Sequence, residues 1–169
     1  MKLSFTFFTT LILCGCTNIL ISEDNSSEVG RLEGKMSVRS PRFNGSAFID
    51  WTYSKDYFKF VVSSPFGLPL AKLEGNKDLI EITLPPERTQ TTTFENLHHH
   101  IGYPLPLKHF TFWVRGMPNP DYAFVGDDTS FDQDGWSVSF LKYEERLPRK
   151  IRLERDNITI TLIIKSWLV

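Results

Sequence analysis

From Arg31 onward the chain repeats one pattern, short runs that alternate apolar and polar residues and are parted by compact turns, and that pattern commits it to antiparallel β-structure. Arg31 to Arg39 places Leu32, Gly34, Met36 and Val38 on one side and charged or polar residues on the other. Ser46 to Tyr53, Tyr57 to Val62, Leu68 to Leu73 and Leu79 to Leu84 follow, separated by turns such as Ser54-Lys55-Asp56 and Gly75-Asn76-Lys77-Asp78. This spacing describes a meander of hairpins. Pro85-Pro86 is expected to end it. Helices are expected over Thr93 to Ile101, with Phe94, Leu97 and Ile101 at helical spacing, and over Leu107 to Val114, stopped by Gly116 and Pro118. Strands resume at Tyr122–Val125, Thr129–Phe131, Trp136–Tyr143, Lys150–Glu154 and Ile158–Lys165. The fold class is mainly β with a helical insertion. A sheet this long curls, and helices inserted mid-chain can cover its hollow side.

The N-terminal segment has a different logic. Lys2 and the apolar stretch Leu3 to Leu13 form a signal-peptide pattern, too short for a membrane-spanning helix of about 20 apolar residues. It ends in Leu13-Cys14-Gly15-Cys16, which fits the pattern at which a signal peptide is cleaved and a cysteine is lipidated. On this reading residues 1–15 are removed, Cys16 carries the lipid, 16–28 are a polar tether, and 29–169 form one domain. Cys14 departs from the small or β-branched residue usual at its position, and a plain secretory signal is the alternative. Thr17, rather than Asp, follows Cys16, which favours the outer membrane.

Composition removes several functions. Both cysteines lie in this leader region, so the folded domain has no disulfide and no thiol chemistry. A formal net charge of −1 gives a nucleic-acid partner no electrostatic support. No nucleophile elbow, zinc-protease helix or phosphate-binding loop is present, and nothing supports catalysis. His98-His99-His100 cannot converge on one ion, because neighbouring helical residues point in different directions; no metal site is expected. Asp127, Asp128, Asp132 and Asp134 lack the spacing of a calcium loop and are expected to be solvated turn residues. The basic residues Lys142, Arg146, Arg149, Lys150, Arg152 and Arg155 could face an acidic carrier or lipid headgroups, but Glu144, Glu145 and Glu154 partly balance them, and an ordinary solvated face is expected.

Ser64-Pro65-Phe66-Gly67-Leu68-Pro69-Leu70 is unusual. Its prolines and glycine forbid regular pairing, yet it carries Phe66 and Leu68. Either both fold into the core, or they form a protruding apolar tip that touches acyl chains or a membrane.

In order, Gly30-Arg31-Leu32, Ser46-Ala47-Phe48-Ile49-Asp50-Trp51, Ser64-Pro65-Phe66-Gly67, Leu105-Pro106-Leu107, Phe112-Trp113-Val114-Arg115-Gly116-Met117-Pro118, Gly135-Trp136-Ser137-Val138 and Ser166-Trp167-Leu168-Val169 resemble the outer-membrane lipoprotein receptor family LolB over most of the chain. The resemblance implies a half-open antiparallel β-barrel covered by short helices over an apolar cavity. It also implies a receptor that takes mature lipoproteins from the periplasmic carrier LolA and releases them into the inner leaflet of the outer membrane, as a monomer and without cofactor, nucleotide or metal. The family's protruding loop carries a leucine important for insertion; Phe66, with Gly67 and Leu68, stands in that place. Phe48, Trp51, Phe112, Trp113, Trp136 and Trp167 are the candidates for cavity or lid, with plain core as the alternative for each. A lipid-anchored envelope-assembly protein that binds protein partners and no acyl chain is the competing function; it predicts a filled interior with dry aromatic packing.

Overall fold

The computed structural model describes residues 30–168, so Cys16, the leader and the tether lie outside the described residues. Eleven strands form one antiparallel sheet: β1 (Gly30–Arg39), β2 (Asn44–Tyr53), β3 (Phe58–Ser63), β4 (Pro69–Gly75), β5 (Ile80–Leu84), β6 (Arg88–Thr92), β7 (Phe124–Gly126), β8 (Ser130–Gln133), β9 (Trp136–Glu144), β10 (Leu147–Arg155) and β11 (Ile158–Leu168). Between β6 and β7 lie α1 (Leu97–Ile101) and α2 (Leu107–Trp113). The spatial order is β6-β5-β4-β3-β2-β1-β11-β10-β9-β8-β7. Two meanders thus meet along a central β1–β11 pair, and β6 and β7 are left as edges, so the sheet does not close into a barrel.

Alternation decides which residues are inside. Leu32, Met36 and Val38 of β1, Ile49, Trp51 and Tyr53 of β2, and Ile160, Leu162 and Ile164 of β11 all bury on one face, with polar neighbours turned outward. The helices cover that buried face. Phe110 of α2 meets Trp51 and Phe60 edge-on at 5.9 and 6.0 Å, while Trp113 of the same helix meets Phe131 of β8 at 6.2 Å. One short helix therefore rests on both meanders.

Two sequence expectations need correction. Pro85-Pro86 does not end the meander: it occupies the turn into β6, whose sequence Arg-Thr-Gln-Thr-Thr is exposed except for Thr92. An edge strand needs no apolar inner face, so it left no hydrophobic alternation to read. The first helix is only Leu97–Ile101, because residues 94–96 form a turn, although Phe94 still stacks on Phe58 at 5.6 Å.

Gly34 sits where the β1–β11 register shifts, and a Cβ there would meet the backbone oxygen of Ile163 at 2.4 Å. Gly34→Ala should therefore destabilise by about 2 kcal/mol, lowering the unfolding midpoint by about 6 °C in a thermal melt. A shift of less than about 1 °C would show that the seam yields freely.

Candidate functional site

The β3–β4 connection is a built turn. The Gly67 N–H donates to the Ser64 carbonyl at 2.9 Å, and the Ser64 N–H donates to the Leu68 carbonyl at 2.8 Å. The Ser64 Oγ accepts from the backbone N–H groups of Phe66 and Leu68 at 3.3 and 3.1 Å. Gly67 has φ +80°, a conformation that costs glycine little. With its backbone bonded, the turn holds its side chains out: Phe66 is 91% exposed and Leu68 65%. The alternative that both fold into the core is excluded.

A second feature is an open cleft of about 800 Å³ beside α2. Trp51, Phe58, Phe94, Leu107 and Phe112 line it, and charged residues such as Lys55, Lys77, Glu95 and Arg115 rim it. It involves the β2–β3 and β4–β5 turns. These lie at the end of the sheet where β1 begins, while the Phe66 turn lies at the other end, about 20 Å away along β3. Tip and cleft are therefore separate. Beneath α2 the space is filled by Trp51, Phe60 and Phe110, and the enclosed apolar cavity expected from the resemblance is not seen among the described residues.

A third feature escaped the sequence reading. His109 of α2 is fully buried and stacks on Trp113 with ring centroids 4.7 Å apart. The Asn119 Nδ2 lies 3.2 Å from the His109 Nδ1, and the His109 Nε2 lies 3.1 Å from the Asp134 Oδ2. Because the Asn119 Oδ1 accepts from the Asp121 N–H, its amide nitrogen faces the imidazole, so Nδ1 accepts and Nε2–H donates. Gln133 completes the cluster: its Oε1 accepts from the Trp113 indole and the Asn119 N–H at 2.8 Å each, and its Nε2 donates to the carbonyls of Asn119 and Tyr122 at 2.9 Å. Lys108 pairs with Asp134 at 2.9 Å. Burial pushes His109 below the ordinary imidazole range, with Asp134 only partly opposing it. Burial alone would raise Asp134, but Lys108 and His109 outweigh it and hold the carboxyl low. Asp134 is an exposed residue of the β8–β9 turn, as expected, and its pairs with Lys108 and His109 also tie α2 to that turn. Gln133 was visible in principle, since it shares the inward parity of Phe131.

The candidates named from sequence separate accordingly. Trp51 and Phe112 line the cleft. Trp113 is tied into the cluster around His109, and Trp136 is core, with Arg155 over its ring at 6.0 Å. Trp167 is half-buried against the core. Phe48 faces away from the helices, 4.4 Å from the Lys165 Nζ, and is no part of the cleft or lid. His98, His99 and His100 are exposed on α1. Among the described residues no three His, Cys, Asp or Glu groups converge.

The family described as "Outer membrane lipoprotein LolB" matches residues 31–167, the whole sheet with both helices. The chain belongs to the LolB family. Similar proteins named "Outer-membrane lipoprotein LolB" include those of Pseudomonas savastanoi pv. phaseolicola, 34% identical over 81% of this chain and 73% of the relative, and of Pseudomonas syringae pv. syringae, 33% identical with the same coverage. Membership in the LolB family makes the chain a lipid-anchored protein of the Gram-negative outer membrane. Two solved structures share the fold. One is a DUF1329 family protein from Desulfovibrio piger, with a TM-score of 0.51, 12% identity and coverage of 85% of this chain and 86% of that one. The other is a putative outer membrane lipoprotein-sorting protein domain from Vibrio parahaemolyticus, with a TM-score of 0.50, 7% identity and 86% coverage of each chain.

Proposed function

We propose that this LolB-family protein is an outer-membrane receptor that accepts acylated lipoproteins from the periplasmic carrier LolA and delivers them to the inner leaflet. Cys16 carries the anchor on this reading. The observation that carries the proposal is the Phe66 tip: an apolar side chain 91% exposed on a hydrogen-bonded turn is costly in water and useful at a bilayer. Acyl chains need shelter in transit, since each methylene in water costs about 0.8 kcal/mol. The cleft floor of Trp51, Phe58, Leu107 and Phe112 offers the first apolar contact, and uptake then displaces α2 from the aromatic residues beneath it. No cofactor or catalytic group is needed for such a hand-over.

The packed interior beneath α2 is the observation on the other side, because an assembly lipoprotein without an acyl ligand needs no cavity. Transfer separates the two. The mature chain with Cys16→Ala is mixed with LolA carrying one acylated lipoprotein, and each protein is pulled down. Cargo is expected on this chain. Cargo that stays on a LolA proven competent with its own receptor would establish the assembly reading.

A further inference from the structure

The chain has a formal net charge of −1, yet one surface is strongly basic. On the face of the sheet opposite the helices, cross-strand register puts Lys35 of β1 beside Ile163 of β11, Ile163 beside Lys150 of β10, and Lys150 beside Lys142 of β9. The next row is Ser37, Thr161 and Arg152, and the row beyond it Arg39, Thr159 and Glu154. Lys35, Arg39, Lys150, Arg152 and Lys165 are exposed. None of them is ion-paired among the described residues, where the basic partners are Arg31, Lys72, Lys77, Lys108, His109, Arg149 and Arg155. Of the acids on this face of β1, β2, β10 and β11, Glu33 and Asp50 are held by Arg31, which leaves Glu154; on β9, Glu144 pairs with Arg149. Lys150 and Lys142 meet at an irregular point of the β9–β10 ladder, with register shifts on both sides of Lys150. Ile163, 45% exposed, and Phe48, 37% exposed, sit among these cations.

We propose that this basic face rests on the anionic phospholipid headgroups of the membrane that holds the anchor. The inference builds on Cys16 as the lipidated residue and on Phe66 as a bilayer contact. The stretch from Cys16 to Gly30 spans at most about 50 Å when extended, so the domain never leaves the bilayer's neighbourhood. The tether enters β1, a strand of the basic face, at the end opposite the Phe66 tip. Standing on the tether end would lift the tip by the length of β3, about 20 Å. Lying on the basic face brings tether entry and tip to the same surface. It also turns α2 and the cleft toward the periplasm, where a carrier arrives. Each basic side chain near an anionic surface strengthens attachment about fivefold, and Phe48 and Ile163 add apolar contact at headgroup depth.

Vesicle sedimentation tests this. The mature chain with Cys16→Ala is spun with phosphatidylethanolamine–phosphatidylglycerol vesicles and with phosphatidylcholine vesicles. Binding to the anionic vesicles is expected to be at least about tenfold stronger, and to fall as salt is raised. The double variant Lys150→Glu/Arg152→Glu should lose that preference, keep its melting midpoint and still take cargo from LolA when vesicles are absent. If reversed charges impair folding, Lys35→Gln/Lys150→Gln serves the same purpose. Equal binding to both vesicle types overturns the proposal, as does a double variant that binds like its parent. A double variant that keeps vesicle binding but loses cargo uptake would assign the face to an acidic protein partner instead. A parent that prefers anionic vesicles but takes up no cargo leaves this inference standing and removes the receptor reading.

Discussion

Phe66→Glu is expected to leave the unfolding midpoint and the uptake of cargo from LolA unchanged, while cutting delivery into vesicles by about thirtyfold. The expectation follows from where the side chain sits. At 91% exposure it contributes almost nothing to the core, and the turn is held by backbone groups and Ser64, which the substitution does not touch. Burying a phenylalanine in an apolar phase is worth about 2 kcal/mol, which corresponds to roughly thirtyfold in an equilibrium constant. A glutamate at the same point adds a charge that the acyl region resists. The assay is lipoprotein recovered in floated vesicles, read beside a pull-down of cargo on this chain. Parallel loss of uptake and delivery would place Phe66 in the docking step with LolA; unchanged delivery would show the tip to be idle.

His109→Phe is expected to destabilise the domain by about 2–3 kcal/mol at neutral pH and to flatten its pH dependence in mild acid. Phenylalanine fits the stack on Trp113 but leaves the Asn119 amide without its imidazole partner and removes one of the two bonds on Asp134. The pH effect has a definite sign. Burial holds His109 below the unfolded imidazole value of about 6.5, so both states are neutral above that pH and the full contribution of the buried ring is present. As pH falls below about 6.5 the unfolded chain takes a proton that the folded chain refuses, and stability declines toward the lowered pKa. Asp134, held low by Lys108 and His109, adds a separate loss below about pH 4. Lys108, Asp134, Tyr122, Asn119 and Gln133 are the polar groups around the ring, and Lys108 opposes its protonation. Thermal melts at pH 7.5 and 5.5 read both effects. A variant with the same slope as the parent would assign the mild-acid loss to another group.

The sheet was legible because alternation is a direct record of burial on one face. The five hairpin strands from Arg31 to Leu84, and the later ones from Trp136 onward, needed nothing else. β6 was not legible, since an exposed edge of threonines imposes no alternation. Phe48 was misassigned for a reason that the pattern could have exposed: three residues from Trp51 in one strand, it must point to the opposite face. The clamp around His109 depends on Asn119, Gln133 and Asp134 converging from separate elements, and pairwise spacing in a sequence does not reveal such a meeting. The exposure of Phe66 was undecidable from residue types, because apolar side chains near prolines occur both inside and outside folded domains.

The strand order has one more consequence. The central joint of the sheet, β1 against β11, is made from the first and last strands of the fold. A nascent chain can form each meander from neighbouring hairpins, but the joint between them waits for the final strand and bears the entropy of closing the longest loop in the domain. Until then the apolar floor under α2 has only half its walls. Such a chain completes its sheet only once the whole domain is available.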